Sequence, residues 1–186
     1  MGTILEATAR EARMSGDTSS VVVRRGTATD GPTGTRGFFC GPGAGKPLTL
    51  PGMQMVLKAS ARQTNAALSL FETEDEPGLS PPPHIHQDAS EAFYVLEGDY
   101  EMTVDGETAT CGSGSLIFIP PGVEHGFTAG TRTARKLIVF VPGAMESYFE
   151  EMDTAVRAGA VSAEQQAAIA LRANMVVVTP VIVERS

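Results

Sequence analysis

Between Met53 and Val141, apolar and polar residues alternate in short runs interrupted by Gly or Pro, the pattern of half-buried strands joined by tight turns. The alternation predicts strands over Met53–Ala59, Ala66–Glu72, Ala92–Glu97, Tyr100–Val104, Ser115–Ile119, His125–Thr128 and Ala134–Val141. Strands at a spacing of roughly 8–12 residues predict an all-β sandwich or barrel. Upstream, VVVRR at Val21–Arg25 predicts one more short strand, followed by a Gly/Thr/Pro-rich connection through Gly37. After Pro142 the period becomes helical, with Met145, Tyr148, Phe149, Met152 and Val156 on one face. Acidic Glu146, Glu150 and Glu151 come early and Arg157 late, as the helix dipole favours, and Gly159 is placed as an αL cap. Ser162 and Gln165 form the capping-box pattern of a second helix running to about Asn174. Met175–Val178 returns to β character and Pro180 limits its continuation. The chain thus divides into a polar N-terminal segment (1–20), a β-barrel unit (21–142) and a C-terminal helical segment with a terminal strand (143–186).

Composition narrows the function classes. A chain of 186 residues with 42% hydrophobic and 19% charged side chains is one globular domain, neither disordered nor a coiled coil. Gly 20 and Pro 12 exceed their usual joint share of ~12%, in keeping with many tight turns. The formal net charge of −8 repels phosphate backbones and anionic lipid, so neither nucleic acid nor a membrane is an expected partner. The longest apolar runs, such as Leu137–Val141, are far too short to span a bilayer. Residues 1–20 hold no apolar secretory core, and the two cysteines, Cys40 and Cys111, read as reduced thiols of a cytoplasmic protein. The glycine-rich Gly41–Pro47 is a turn and not a phosphate loop, because Cys40 and Pro47 stand where that motif needs Gly and Ser or Thr.

The chemistry is concentrated in two stretches. His84 and His86 lie two apart, so both imidazoles share a face of an extended segment, and Glu91 opens the β run that follows. Pro81, Pro82 and Pro83 stiffen the approach and limit the entropy lost in forming a site. The remaining histidine of the chain's three, His125, follows the turn Pro120-Pro121-Gly122. Neutral imidazoles and a carboxylate suit a divalent first-row metal.

Those two stretches resemble the cupin family. Gly78, His84, His86, Glu91 and Gly98 match the spacing of its first motif, and Gly114, Pro120, Gly122 and His125 match its second. Ala129 stands where the family usually has asparagine, a departure at a turn contact and not at a metal ligand. The resemblance implies a double-stranded β-helix (jelly-roll) barrel, here carrying two C-terminal α-helices. It also implies one divalent transition metal per chain (Fe, Ni, Mn, Cu or Zn) held by His84, His86, Glu91 and His125, a metal that acid should strip. Strand alternation places Phe93 and Val95 with Glu91, and Phe127 with His125, as candidate walls of an apolar pocket, where simple core packing is the alternative. Phe71, Phe140, Met53 and Met55 are further candidates for the same wall.

The order of segments is similar to that of bacterial quercetin 2,3-dioxygenase-like cupins. That likeness implies an aromatic or enol-bearing substrate whose hydroxyl meets the metal, dioxygen as co-substrate, and Glu91 as both ligand and base. Zinc-dependent polyketide cyclases and non-catalytic binding cupins share the fold, so a non-redox cyclase or isomerase and a binding protein stand as alternatives. Cupins commonly form homodimers, and residues 1–55 and Met175–Val183 are the segments expected to meet a second subunit. Oxygen and nitrogen donors already complete the implied site, leaving the sulfurs out of it. Thiol titration of denatured, unreduced protein should therefore find both Cys40 and Cys111 free; a count of zero would show a bridge.

Overall fold

The computed structural model describes residues 37–159 and 161–178; the expected strand at Val21–Arg25 lies outside them. The described chain opens with a hairpin of β1 (Lys46–Leu50) and β2 (Met53–Ala59). A single helical turn, α1 (Ala61–Thr64), follows, with Ser60 and Gln63 completing a capping box and Asn65 closing it in the αL conformation. Closing this turn takes up Thr64–Ala66, so β3 runs over Ser69–Asp75 and starts later than the expected Ala66. Next come β4 (His84–His86), β5 (Ser90–Glu97), β6 (Asp99–Val104) and β7 (Glu107–Gly112). The last barrel strands are β8 (Leu116–Ile119), β9 (His125–Ala129) and β10 (Ala134–Val141). Helices α2 (Glu146–Ala158) and α3 (Ala163–Arg172) lead to β11 (Met175–Val177).

The strands form two antiparallel sheets, β1-β2-β3-β10-β5-β8 and β11-β4-β9-β6-β7, in a jelly-roll arrangement. Alternation drives it: along β5, Glu91, Phe93 and Val95 are buried, and along β10 the same holds for Ala134, Lys136, Ile138 and Phe140. At the β5–β6 turn, Gly98 has φ +74°, and a Cβ there would meet the Cβ of Ala134 at 2.8 Å, so both backbone geometry and space require glycine. Strands β1 and β7 go beyond the expectation, since KPLTL follows a Gly/Pro loop and alternates only over Leu48-Thr49-Leu50, and ETATCG is largely exposed.

Two details differ from what the sequence predicts. Gly159 caps α2 with φ 143° and ψ −159°, outside the αL region. Met145, expected inside that helix, is its N-cap, with φ 67°. The terminal strand pairs within its own chain on one side: β11 lies beside β4, Met175 opposite His86 and Val177 opposite His84, at the edge of its sheet. The second helix keeps its predicted capping box at Ser162 and Gln165. Both cysteines are free thiols. No helix among the described residues is long and apolar enough to cross a membrane.

The helices are fastened to the barrel by polar contacts around an apolar seam. Asp153 accepts from the Thr49 amide at 2.8 Å, Lys46 pairs with Glu150 at 2.6 Å, and the Ser69 hydroxyl donates to Ala144 O at 2.7 Å. Between them Phe149 packs edge-on against Phe71, with ring centroids 4.8 Å apart.

A buried ion pair lies inside the barrel. Lys136 and Asp75 are both 0% exposed and in direct contact, and the Tyr100 hydroxyl donates to the same Asp75 oxygen, Oδ2, at 2.6 Å. Burial raises the Tyr100 pKa, so the hydroxyl stays protonated and able to donate. Burial lowers that of Lys136, an effect the Asp75 carboxylate opposes. The Lys136 ammonium also sits 4.0 Å from the Phe127 ring centroid and 4.7 Å from that of Tyr100, where ring quadrupoles attract a cation. Lys136→Met should lower unfolding free energy by about 3–5 kcal/mol in denaturant titration, because Asp75 is left as an unpaired buried charge. Combining it with Asp75→Leu should restore most of that loss; an equal loss in the double variant would instead credit the pair itself with the stability.

Candidate metal centre

The centre forms where the two sheets face each other. His84 and His86 project from β4 and His125 from the neighbouring β9, with His84 and His125 directly opposite in register. Glu91 reaches them from β5 in the other sheet. The turn Pro120-Pro121-Gly122 aims His125: Gly122 has φ +82° and its amide donates to His86 O at 2.8 Å, tying the turn to β4. One ligand-type atom from each of the four residues lies within 4.8 Å of the others. His86, Glu91 and His125 are buried, and His84 is partly buried.

Hydrogen bonds orient the rings. Nδ1 of His84 donates to Pro82 O at 3.1 Å and Nδ1 of His125 to Val123 O at 3.0 Å, which turns both Nε2 atoms towards the centre. Nε2 of His125 lies 2.7 Å and Nε2 of His86 3.1 Å from the same Glu91 oxygen, Oε2. Nδ1 of His86 is buried with no hydrogen-bond partner among the described residues. Burial alone would push the Glu91 carboxyl up, yet the hydrogen bonds from His125 and His86 hold it well below the usual carboxylate range. Burial works against charge on His125, but its hydrogen bond to Glu91 and that carboxylate's charge outweigh it and raise the pKa. His84 is lowered to about 4, chiefly by burial, and is neutral near pH 7.

This donor set fits a divalent transition metal. His84 is already neutral, Glu91 is ionised, and the protons that His125 and His86 direct at Oε2 occupy the position a cation would take. His84, His86, Glu91 and His125 could together hold such an ion.

A cavity of about 280 Å³ opens on the cluster, just under the roughly 300–1,000 Å³ of small-molecule sites. Of the expected wall residues, Phe93, Phe127, Phe140 and Met53 line it. Val95, Phe71 and Met55 do not: they are buried in the core, Phe71 behind the wall against Phe140 and Phe149, and Val95 farther along β5 opposite Lys136. Met145, Tyr148, Phe149 and Met152, which the helical period only places on one face, form a cavity wall, with Gln166 from α3 and Met175 and Val177 from β11 beside them. Among the described lining residues Glu91 is the one acidic side chain, and there is no Lys or Arg.

Comparison with known proteins agrees with this arrangement. Residues 71–141 match the family model described as a cupin domain. A quercetin 2,3-dioxygenase of Bacillus subtilis is 24% identical over 124 residues, which cover 67% of this chain and 37% of that protein's length. An uncharacterised Streptomyces coelicolor protein is 33% identical over 81 residues, 44% of this chain and 74% of that protein. The crystal structure of an RmlC-like cupin from Shewanella frigidimarina superposes with a TM-score of 0.51 at 24% identity, covering 59% of this chain and 93% of that one. A chain that folds its family-matched strands into this jelly roll, and is one-third identical to a relative it largely covers, belongs to the cupins.

Proposed function

We propose that this protein is a metal-dependent dioxygenase acting on a phenolic or enol-bearing aromatic small molecule. The observation that carries the reading is the cavity: aromatic and sulfur-bearing walls converge on a three-histidine, one-carboxylate cluster, with no Lys or Arg among the described lining residues. Away from the metal cluster the wall offers no positive charge to hold an anionic group, whereas a phenol or enol needs there only an apolar slot and, at the cluster, a means of losing its proton. The distant likeness to a quercetin dioxygenase supports the same substrate class.

His84, His86, Glu91 and His125 would hold the metal, which when bound supplies Lewis acidity that makes a nearby substrate hydroxyl easier to ionise. Phe93 and Phe127 form an apolar surface against which an aromatic ring can lie, and Phe140 packs edge-on to His86 at 5.2 Å. Among the described residues Glu91 engages the histidines through Oε2 and leaves Oε1 without a hydrogen-bond partner, so Oε1 can receive the hydroxyl proton. In a dioxygenation both atoms of dioxygen enter the organic product. The substrate is oxidised as dioxygen is reduced, and no external electron donor is required.

Protein purified without added metal should contain about one transition metal per chain by elemental analysis, and His84→Ala should lose most of it. Wild-type occupancy in that variant would remove His84 from the ligand set. With a 3-hydroxyflavone-type substrate, turnover should consume dioxygen mole for mole. Turnover without oxygen uptake would instead indicate a non-redox cyclase or isomerase. In Glu91→Gln, activity per bound metal should fall by roughly 10²–10⁴, the usual worth of a general base. Activity falling only in proportion to metal content would make Glu91 a ligand alone.

A further inference from the structure

We propose that the Tyr148 hydroxyl, held by Gln166, is a specificity-determining hydrogen-bond donor to a second oxygen on the aromatic ligand, on the cavity wall built by the C-terminal helices. The proposal rests on the phenolic reading above and adds where and how the ligand is selected.

The wall lies outside the family match, which ends at residue 141. Its α2 face is apolar at Met145, Phe149 and Met152, and Tyr148 and Gln166 are the polar side chains that α2 and α3 bring to the cavity. Tyr148 is only 6% exposed, so its hydroxyl is withdrawn from bulk water. The Gln166 amide donates to that oxygen at 3.3 Å and so fixes which way the hydroxyl proton can point. No acceptor for the proton occurs among the described residues, and leaving a buried O–H donor unmatched is unfavourable. A ligand oxygen in the cavity would satisfy it. Burial also raises the Tyr148 pKa, so the group stays a neutral donor across the working range.

The chemistry of the partner follows from these contacts. A neutral donor with a neutral amide behind it suits a further ring hydroxyl, and offers no counter-charge to an ammonium or a carboxylate. The Glu91 and histidine cluster takes the ionisable hydroxyl, and the Tyr148 donor takes a further hydroxyl on a ring remote from it, which 3-hydroxyflavone itself lacks. Two anchored points define the orientation of a flat molecule between apolar walls.

The test compares ligands as well as proteins. Zinc-loaded protein, which can hold the ligand without oxidising it, is titrated by fluorescence with 3-hydroxyflavone and with its derivatives carrying one further hydroxyl at the 7 or 4′ position. The wild type should bind one of the derivatives about threefold to tenfold more tightly than 3-hydroxyflavone, the effect of one neutral hydrogen bond. Tyr148→Phe should abolish that preference while retaining zinc and its affinity for 3-hydroxyflavone. Gln166→Leu should weaken the preference by freeing the hydroxyl to rotate. The proposal is overturned if the wild type shows no preference, if the preference survives Tyr148→Phe, or if that variant weakens all three ligands alike, as a packing role would. Failure of the wild type to bind 3-hydroxyflavone at all would overturn the phenolic reading and this inference together.

Discussion

An ionised carboxylate can be buried only beside compensating charge or donors, and the candidate site is organised around that requirement at Glu91. Glu91 is 3% exposed on β5, and the described groups that approach its Oε2 are the imidazoles of His86 and His125. Two strands of one sheet and one strand of the other must come into register for this to happen. The features that bring them there are local: the proline run before His84, the Pro120–Gly122 turn bonded to His86 O, and the carbonyls of Pro82 and Val123 that orient two rings. The same need for compensating charge makes the cluster receptive to a divalent cation.

The barrel holds a second buried ionic group, and the contrast between the two is informative. Lys136 and Asp75 balance each other, and Tyr100 donates to the carboxylate. That pair is closed off from the cavity: neither residue lines it, while Phe127, whose ring covers the ammonium, does. Phe93 and Phe127 therefore separate an ion pair that stabilises the barrel from a cluster that opens to ligands. A buried pair of this kind adds little net stability, but losing one member is costly, so it constrains which packings of the barrel are tolerable.

The strands and the donor set were legible because each left a periodic or spaced signal. His84, His86, Glu91 and His125 fall at fixed intervals on strands whose alternation sets their facing, and the structure brings them together. Ser162 and Gln165 marked the start of α3 through a local capping interaction that tertiary packing did not override. Elsewhere the signal was absent or ambiguous. In KPLTL the alternation is confined to Leu48-Thr49-Leu50, too short to announce a strand, and ETATCG is largely exposed, so β1 and β7 owe their strand form to pairing with β2 and β6. Lys136 did leave a trace, sharing parity with Ala134, Ile138 and Phe140, but its partner Asp75 lies 61 positions away. Tyr148 fell within an apolar helical stripe, and periodicity cannot tell a side chain that fills a core from one that walls a cavity.

The central claim is that three imidazoles and one carboxylate form a single metal centre. X-ray absorption at the edge of the metal that co-purifies with the protein tests it most directly. The account predicts nitrogen and oxygen scatterers alone in the nearest shell, at roughly 2.0–2.2 Å if the metal is zinc, with outer-shell scattering from three imidazole rings. Sulfur in the nearest shell, or scattering from fewer than three imidazoles, would contradict it.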